Sequence, residues 1–349
     1  DRARELGCKV IVTDHHLPGE KLPDAEAIVN PNCPGDRFPS KNLAGVGVVF
    51  YLVSVLRSVL RERNWFTLPR NEPNLARLLD LVALGTVSDL VPLLGENREL
   101  VRRGLEKLQK SPRPGVEALM ADAGLRRGAV DATAIGFRLG PRLNAAGRLD
   151  DAMLAYNLLA STNMLETKDL AERLGTLNRR RQELTETTVA EAEAQVQAGD
   201  PDAFLHLVAS DKFLPGIVGL AASRLTEAYY RPSVVVEVGP DESRGSCRSI
   251  PEFPMTKALD GCKDLLVRYG GHAAAAGFTV ETGKLDLLRE RLQAIAAERL
   301  SGVELQPALQ IDLEVPLEKL SEDVFKTLQQ IEPTGMGNPQ PVLSSSGVE

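Results

Sequence analysis

The stretch of sequence that decides the fold is Lys9-Val10-Ile11-Val12-Thr13-Asp14-His15-His16. Its first five residues are almost continuously apolar, which predicts a parallel strand buried on both faces. Its last three residues are polar and follow the carboxyl end of that strand, where open α/β sheets hold their ligands. The stretch therefore predicts an α/β fold with a functional site directly after one strand.

The chemistry of that site follows from Asp14-His15-His16. The chain has four histidines, and two of them adjoin an aspartate here. Side chains at the turn after a strand can converge on one ion, and imidazole with carboxylate suits Mn²⁺ or Zn²⁺ better than Ca²⁺. A loop of solvated polar residues is the alternative, and the tripeptide by itself leaves both interpretations open.

A second carboxylate, Asp89, lies in the strongly apolar stretch Val82–Leu93. Burial of a carboxylate is costly unless it is paired or binds a metal. The alternative is that Asp89 or Ser88 caps the free N–H groups of a helix. Together with Asp14-His15-His16, Asp89 is interpreted as a metal ligand.

Composition excludes some classes of protein. The 349 residues are 43% hydrophobic and 26% charged, and no apolar run is long enough to cross a bilayer, so we expect no membrane partner. The net charge of −7 still permits nucleic-acid binding through a local basic groove. The four cysteines form no Cys-x-x-Cys pair, which indicates a reduced, cytoplasmic setting with Cys8 and Cys262 buried.

Hydrophobic spacing outlines the remaining elements. Residues 165–198 predict a helix about 50 Å long that joins two domains, although a surface helix of the first domain is the alternative. A second α/β unit follows it. The other predicted elements are strands at 27–29, 204–209, 233–238 and 309–315, and helices at 43–63, 74–85, 216–230, 284–300 and 321–331.

Two segments of the second unit suit phosphate binding. Gly270-Gly271-His272 lets the backbone approach a phosphate closely and offers an imidazole donor. In Ser246-Cys247-Arg248-Ser249, a guanidinium fork lies between two hydroxyls. The alternatives are a tight turn with a packed histidine, and an arginine paired with Glu252 or Asp264. The run Ala273–Ala276 is interpreted as a closely packed helix.

Together these stretches resemble the DHH phosphoesterases. Asp14-His15-His16 and the segment ending at Asp89 are similar to that superfamily's third and fourth motifs. Three further segments resemble the RecJ exonucleases within it, and the resemblance covers essentially the whole chain. They are Gly140–Arg148 with its sequel Leu149–Ala152, the segment Ser246–Ser249 with Gly270–Gly277, and Ile331–Pro339.

The resemblance implies four regions. They are a parallel-sheet DHH domain (1–160), a long connecting helix (161–199), a smaller α/β DHH-associated domain that binds nucleic acid (200–302), and the start of a β-rich OB-like domain (303–349). The chain begins at Asp1 without the family's first two aspartate motifs. We therefore expect truncation at both ends, an incomplete metal site and a weak or inactive isolated chain. Leu214 stands where the family usually has histidine.

The resemblance also implies an activity: metal-dependent 5′→3′ hydrolysis of single-stranded DNA in repair and recombination. The implied catalytic residues are Asp14, His15, His16 and Asp89. His15 and Asp89 would hold Mn²⁺ or Mg²⁺ in a two-metal site, Asp14 would orient a histidine, and His16 would stabilise charge on the phosphate.

For DNA binding, the resemblance implies one group for the DNA end and one for the backbone. The first comprises Arg142, Asn144 and Arg148, and the second comprises Ser246, Arg248, Ser249, Gly270, Gly271 and His272. Expected partners are single-stranded DNA and a repair helicase or single-strand-binding protein, and the expected state is a monomer. The alternatives are another DHH phosphoesterase acting on short oligonucleotides or cyclic dinucleotides, or a non-catalytic DNA-binding scaffold.

Overall fold

A computed structural model describes residues 2–19, 21–110 and 112–347 of the chain. The chain divides into two compact units. The first comprises Asp1–Ala146, Ala152–Gly175 and Gln310–Glu349, and the second comprises Gly147–Asp151 and Thr176–Leu309. The predicted domain boundaries at 160, 199 and 302 stay predictions.

The first unit contains the predicted parallel strands, β1 (Ile11–Thr13) and β2 (Ala27–Val29), with Thr13 opposite Val29. The prediction that the first strand is buried on both faces is wrong, because Ile11 is 64% exposed. Within the described residues β1 is paired on one side, with β2. The prediction that Cys8 is buried is also wrong, since it lies exposed directly after the turn that follows the first helix.

Helices form most of the first unit. They are α1 (Arg2–Glu5), α2 (Gly45–Glu62), α3 (Leu79–Ser88), α4 (Gly95–Lys110), α5 (Pro114–Asp122), α6 (Ala132–Ala134), α7 (Gly140–Leu149) and α8 (Met153–Ala160), with α7 extending into the second unit. A π-helical segment, Ile135–Leu139, joins α6 to α7.

Helix α3 is the centre of this unit, and its position depends on close packing. A Cβ at Gly85 would lie 2.7 Å from the methyl carbons of Val46, so only glycine lets α3 lie this close to α2. Asp80 is fully buried in α3, where Arg113 donates to both of its carboxylate oxygens over 2.9 and 3.0 Å. This pairing offsets the cost of burying the charge.

The predicted long helix is confirmed as α9 (Met164–Ala198), a 35-residue helix whose residues belong to both units. The second unit is built on a sheet with the order β3-β4-β5-β7-β6. Its strands are β3 (His206–Ser210), β4 (Ser233–Glu237), β5 (Glu242–Arg248), β6 (Leu266–Gly271) and β7 (Ala275–Glu281). Strands β3 and β4 are parallel, and the other pairs are antiparallel.

Helices cover both faces of this sheet. Helix α10 (Pro215–Tyr229) and the end of α9 pack on one face around Val208 and Leu225. Helices α11 (Met255–Asp260) and α12 (Leu285–Leu300) pack on the other around Phe253 and Leu292. These elements confirm an α/β unit, with Cys247 and Cys262 buried in its core.

The helix predicted for Ala273–Ala276 is wrong, because the run leads into strand β7. Buried and less buried residues alternate there: Ala276 and Phe278 face the core on either side of Gly277. Gly245 opposite leaves room for the Phe278 ring, since a Cβ there would lie 2.2 Å from it.

Residues from Gln310 onward belong to the first unit. They contain β8 (Leu313–Glu314), α13 (Glu322–Leu328) and β9 (Leu343–Ser344), with β8 and β9 parallel. The predicted strand at 309–315 is thus confirmed over two residues. Across the described residues, no helix is both long and apolar enough to span a membrane.

Candidate active site

The residues after β1 form a tight cluster held by Asp14. Its Oδ1 accepts hydrogen bonds from the backbone N–H groups of His15 and His16, over 2.7 and 3.2 Å, and lies 2.8 Å from Nδ1 of His16. The side chain of His16 and these N–H groups lower the pKa of Asp14 to about 2. Asp14 is therefore a carboxylate at neutral pH, and its Oδ1 contacts the His16 ring.

Asp89 meets this cluster through His15. Nε2 of His15 lies 2.8 Å from Oδ2 of Asp89, and Nδ1 of His15 lies 3.7 Å from Oδ1 of Asp14. Asp89 ends helix α3. The cap alternative is wrong, because the carboxyl end of a helix presents free carbonyl oxygens rather than N–H groups.

These residues fit a divalent cation. One donor atom from each of Asp14, His15 and His16 can be chosen so that all lie within 4.8 Å of one another. The carboxylate of Asp89 adds a further oxygen beside His15. A donor set of carboxylate oxygen and imidazole nitrogen suits Mn²⁺ and related ions. The geometry allows Asp14 as well as the predicted pair, His15 and Asp89, to contact such an ion.

Two asparagines that sequence reasoning missed hold the backbone of this cluster. Nδ2 of Asn30 donates to the carbonyl oxygen of His16 over 2.9 Å, and Nδ2 of Asn32 donates to that of His15 over 2.7 Å. Both follow strand β2, which lies beside β1. The signal in the sequence was Asn30-Pro31-Asn32, a polar segment at the same sheet edge as Asp14.

In the second unit, Arg248 lies among groups that suit an anion. Burial lowers the pKa of its guanidinium, and the positive charge of Arg148 lowers it further. The carboxylates proposed as alternative partners are engaged elsewhere: Glu252 accepts from Tyr230, and Asp264 pairs with Arg291. Among the described residues, no salt bridge joins Arg248 or Arg148 to a carboxylate.

The amino end of helix α10 lies next to Arg148, Ser246 and Arg248. Nη1 of Arg148 donates to the carbonyl oxygen of Gly216 in the first turn of α10 over 3.1 Å. A Cβ at Gly219 would lie 3.0 Å from Oγ of Ser246 and 3.3 Å from Nη2 of Arg248. The amino end of a helix favours negative charge. We call Arg148, Ser246 and Arg248 the arginine cluster. Leu214, the residue before α10, brings no polar side chain to it.

The remaining predicted DNA contacts of this unit lie at one end of its sheet. Ala275 pairs with Arg248 across β5 and β7, and its carbonyl oxygen accepts from the N–H of His272 over 2.7 Å. His272 is exposed, and Gly271 adopts a φ of 138° that favours glycine, while Gly270 is exposed beside it. Ser249 instead donates its hydroxyl to the Phe253 carbonyl oxygen.

Arg142 and Asn144 belong to the first unit. Nε of Arg142 donates to Oδ2 of Asp122 over 2.8 Å, and its side chain is 18% exposed. Asn144 is exposed on α7. The ion pair engages Arg142 within the unit, whereas the arginine cluster has no such carboxylate partner among the described residues.

Sequence models of known protein families match three parts of this chain. Family sequence models match at residues 1–86 (DHH family, N-terminal domain), 202–298 (DHHA1 domain) and 311–349 (RecJ OB domain). The last match confirms the predicted OB-like segment.

Curated relatives that align with nearly the whole chain also carry the RecJ name. The chain is 41% identical to the single-stranded-DNA-specific exonuclease RecJ of Salmonella typhimurium, over 98% of its own length and 61% of that relative's. It is 38% identical to the Bacillus subtilis protein of the same name, over 97% of its own length and 42% of that relative's. The chain thus spans about three fifths or less of these curated relatives.

Solved structures that superpose on this chain are also RecJ proteins. RecJ from Thermus thermophilus in complex with Mn²⁺ superposes with a TM-score of 0.83 at 34% identity, covering 97% of this chain and 49% of that one. A structure of exonuclease RecJ bound to manganese has a TM-score of 0.66 at 34% identity, covering 85% of this chain and 71% of that one. The chain therefore belongs to the RecJ family of DHH proteins.

Proposed function

We propose that this chain carries the metal-binding and DNA-binding parts of an exonuclease that hydrolyses single-stranded DNA from its 5′ end. The observation that carries the proposal is the 2.8 Å approach of His15 Nε2 to Asp89 Oδ2 beside Asp14 and His16. Relatives of the family are named for single-strand-specific exonuclease activity, and two of their structures contain Mn²⁺ or Mg²⁺.

Different residues of this chain would bind the metal ion and contact the phosphate. His15 and Asp89, with Asp14 beside them, would hold Mn²⁺ or Mg²⁺, which when bound supplies a Lewis acid for the phosphate and lowers the pKa of a water. Asp14 holds Nδ1 of His16, which leaves Nε2 of that ring to contact the phosphate. Such a contact would stabilise negative charge that develops on the phosphate oxygens during attack.

The arginine cluster would bind a backbone phosphate. Arg248 is partly buried, so its attraction for an anion is screened less than that of a surface arginine. A guanidinium, a hydroxyl and a helix amino end recognise phosphate oxygens rather than bases. This chemistry supports sequence-independent binding, which an exonuclease requires.

We also propose a cellular setting, an oligomeric state and protein partners. We propose a monomer in a reduced, cytoplasmic setting that meets a repair helicase or a single-strand-binding protein at its substrate. Burial raises the pKa of the Cys247 thiol to about 12 and that of Cys262 to about 11. Both thiols therefore stay protonated and unreactive at neutral pH, which supports a structural role for them.

The test combines ion binding with cleavage. We expect His15→Ala and Asp89→Asn to weaken Mn²⁺ binding, measured by the electron paramagnetic resonance signal of free Mn²⁺, and to remove any release of nucleotides from single strands that the unaltered chain shows. Asp286→Asn, an exposed carboxylate of the second unit, is the matched control and should change neither. Unaltered Mn²⁺ affinity in Asp89→Asn would reject the metal site. Strand binding by an unaltered protein that does not bind Mn²⁺ would favour the scaffold alternative.

A further inference from the structure

A shallow apolar cavity of about 110 Å³ lies beside the metal-binding residues, and the reaction proposed above gives it no role. Leu90, Phe137 and Met336 line it, and these side chains are 66%, 81% and 53% exposed. Exposing several large apolar side chains at one place is unfavourable, and such patches mark binding sites.

One wall of the cavity is next to Asp89 in the chain. Leu90 directly follows Asp89, so their Cα atoms are about 3.8 Å apart. Leu90 has a φ of 57°, a backbone conformation that is rare for a branched apolar residue. Val87, in the last turn of α3, forms part of the same lining. The helix end that presents Asp89 to His15 is therefore also one wall of the cavity.

Phe137 is held at the cavity by its neighbours. It lies in the π-helical segment, whose first and last residues, Ile135 and Leu139, are completely buried. Gly136 packs against α3, since a Cβ there would lie 3.8 Å from Val87. An extra residue in a helical turn often occurs at a functional site. Here the segment is anchored on both sides while the Phe137 ring is left exposed.

Met336 also lines the cavity, and its backbone is held in place. Its carbonyl oxygen accepts a hydrogen bond from the N–H of Leu93 over 2.7 Å. Gly335 allows this approach, because a Cβ there would lie 2.9 Å from Leu93 Cδ1. An aromatic ring and a flexible thioether therefore face one small cavity whose walls are already in place.

We propose that Phe137 stacks on a nucleobase of the single strand held at the metal site, with Leu90 and Met336 as the side walls. This inference rests on the proposed function and deepens it. A shallow cavity of about 110 Å³ suits a flat ring and is too small for a peptide helix. The lining contains no charged side chain among the described residues. Stacking on an uncharged wall accepts every base.

The first experiment measures affinity in the presence of Mn²⁺ for a short single strand with hydrolysis-resistant linkages, so that the metal site can be filled and the strand is not cut. Phe137→Ala should bind roughly 5- to 100-fold more weakly, Phe137→Leu nearly as weakly because it lacks the ring, and Phe137→Trp as tightly as the unaltered protein. For an abasic strand of the same length, all four proteins should bind equally. The thermal midpoint should stay constant, because the side chain is exposed.

Arg248→Ala, measured in parallel, separates the two proposals. If Arg248→Ala weakens binding of both strands while Phe137→Ala changes neither, the base-stacking inference is overturned and the proposed function stands. If both variants bind like the unaltered protein, DNA binding at these sites is rejected as a whole. Equal weakening of both strands by Phe137→Ala would also overturn stacking, since the ring would then act without a base.

A second readout does not depend on affinity. Trp65 is the single tryptophan of the chain, so Trp65→Phe combined with Phe137→Trp places one fluorescent ring at the cavity. Base-containing strands should quench its emission, and abasic strands should leave it unchanged. Quenching by both strands, or by neither, would contradict contact between this ring and a base.

Discussion

Nδ2 of Asn32 donates a hydrogen bond to the carbonyl oxygen of His15 over 2.7 Å, and the same nitrogen lies 3.1 Å from the carbonyl oxygen of Lys41. One amide thus ties the turn after β1 to the loop after β2. Lys41 adds to this loop, because its Nζ donates to the Pro31 carbonyl oxygen over 2.6 Å. The turn that carries Asp14, His15 and His16 is therefore held from outside the motif that marks it in the sequence.

We predict that Asn32→Ala weakens Mn²⁺ binding by about 10-fold or more, because groups that orient metal ligands contribute on this scale. The free Mn²⁺ signal in electron paramagnetic resonance provides the measurement. Asn71→Ala, at an exposed position of the same unit, is the matched control. An unchanged Mn²⁺ affinity in Asn32→Ala would mean that the turn keeps its shape without this amide.

A second prediction concerns the buried pair in α3. Asp80→Ala should destabilise the first unit by about 3–5 kcal/mol, since it leaves the charge of Arg113 without its buried carboxylate partner. The midpoint of denaturant unfolding measures this loss. The double variant Asp80→Ala with Arg113→Met should recover part of it, and a double variant no more stable than the single one would contradict the argument.

The pH dependence of the second unit should follow His206, which begins β3 and is 4% exposed. Burial lowers its pKa below 6.5, and the charge of Arg231 adds to the effect. The unfolded chain then binds the proton more readily, so stability is complete above pH 6.5 and declines as the pH falls toward the folded-state pKa.

His206→Phe should flatten this decline, since it removes the titrating group and keeps an aromatic ring against Tyr229. Chemical unfolding between about pH 7.5 and 5 measures the effect, which one proton limits to about 1.4 kcal/mol per pH unit. Identical slopes for the two proteins over this range would show that His206 does not control it.

Salt dependence tests the arginine cluster. Arg248→Ala should weaken binding similarly for all single-strand sequences and reduce the slope of log affinity against log salt by about one unit or less, as expected for one lost phosphate contact. Arg224→Ala, an exposed arginine of α10, is the control. A lowered thermal midpoint with an unchanged salt slope would assign Arg248 to the fold instead.

The sequence allowed the elements with strong periodicity to be predicted. The long helix, the α10 and α12 helices and the strands β3 and β4 are all close to the predicted bounds, because their apolar spacing is regular over many residues. The run Ala273–Ala276 was misread, since alanine favours a helix locally while pairing with β5 and β6 decides its state. Burial of β1 was misjudged for a similar reason, because it depends on neighbours rather than on the strand's own residues.

For the functional site, the sequence by itself determined which residue types were available: a carboxylate and two imidazoles after one strand, and a carboxylate at the end of one apolar helix. Only the tertiary structure decided that Asp89 meets His15, that Asn30 and Asn32 hold the turn, and that Arg148 and Arg248 lie near the start of α10. The physical reason is that the chemical character of a side chain is a property of one residue and can be read directly from the sequence. Contact between distant segments depends on how closely helices pack, here through Gly85 in the first unit and Gly219 in the second.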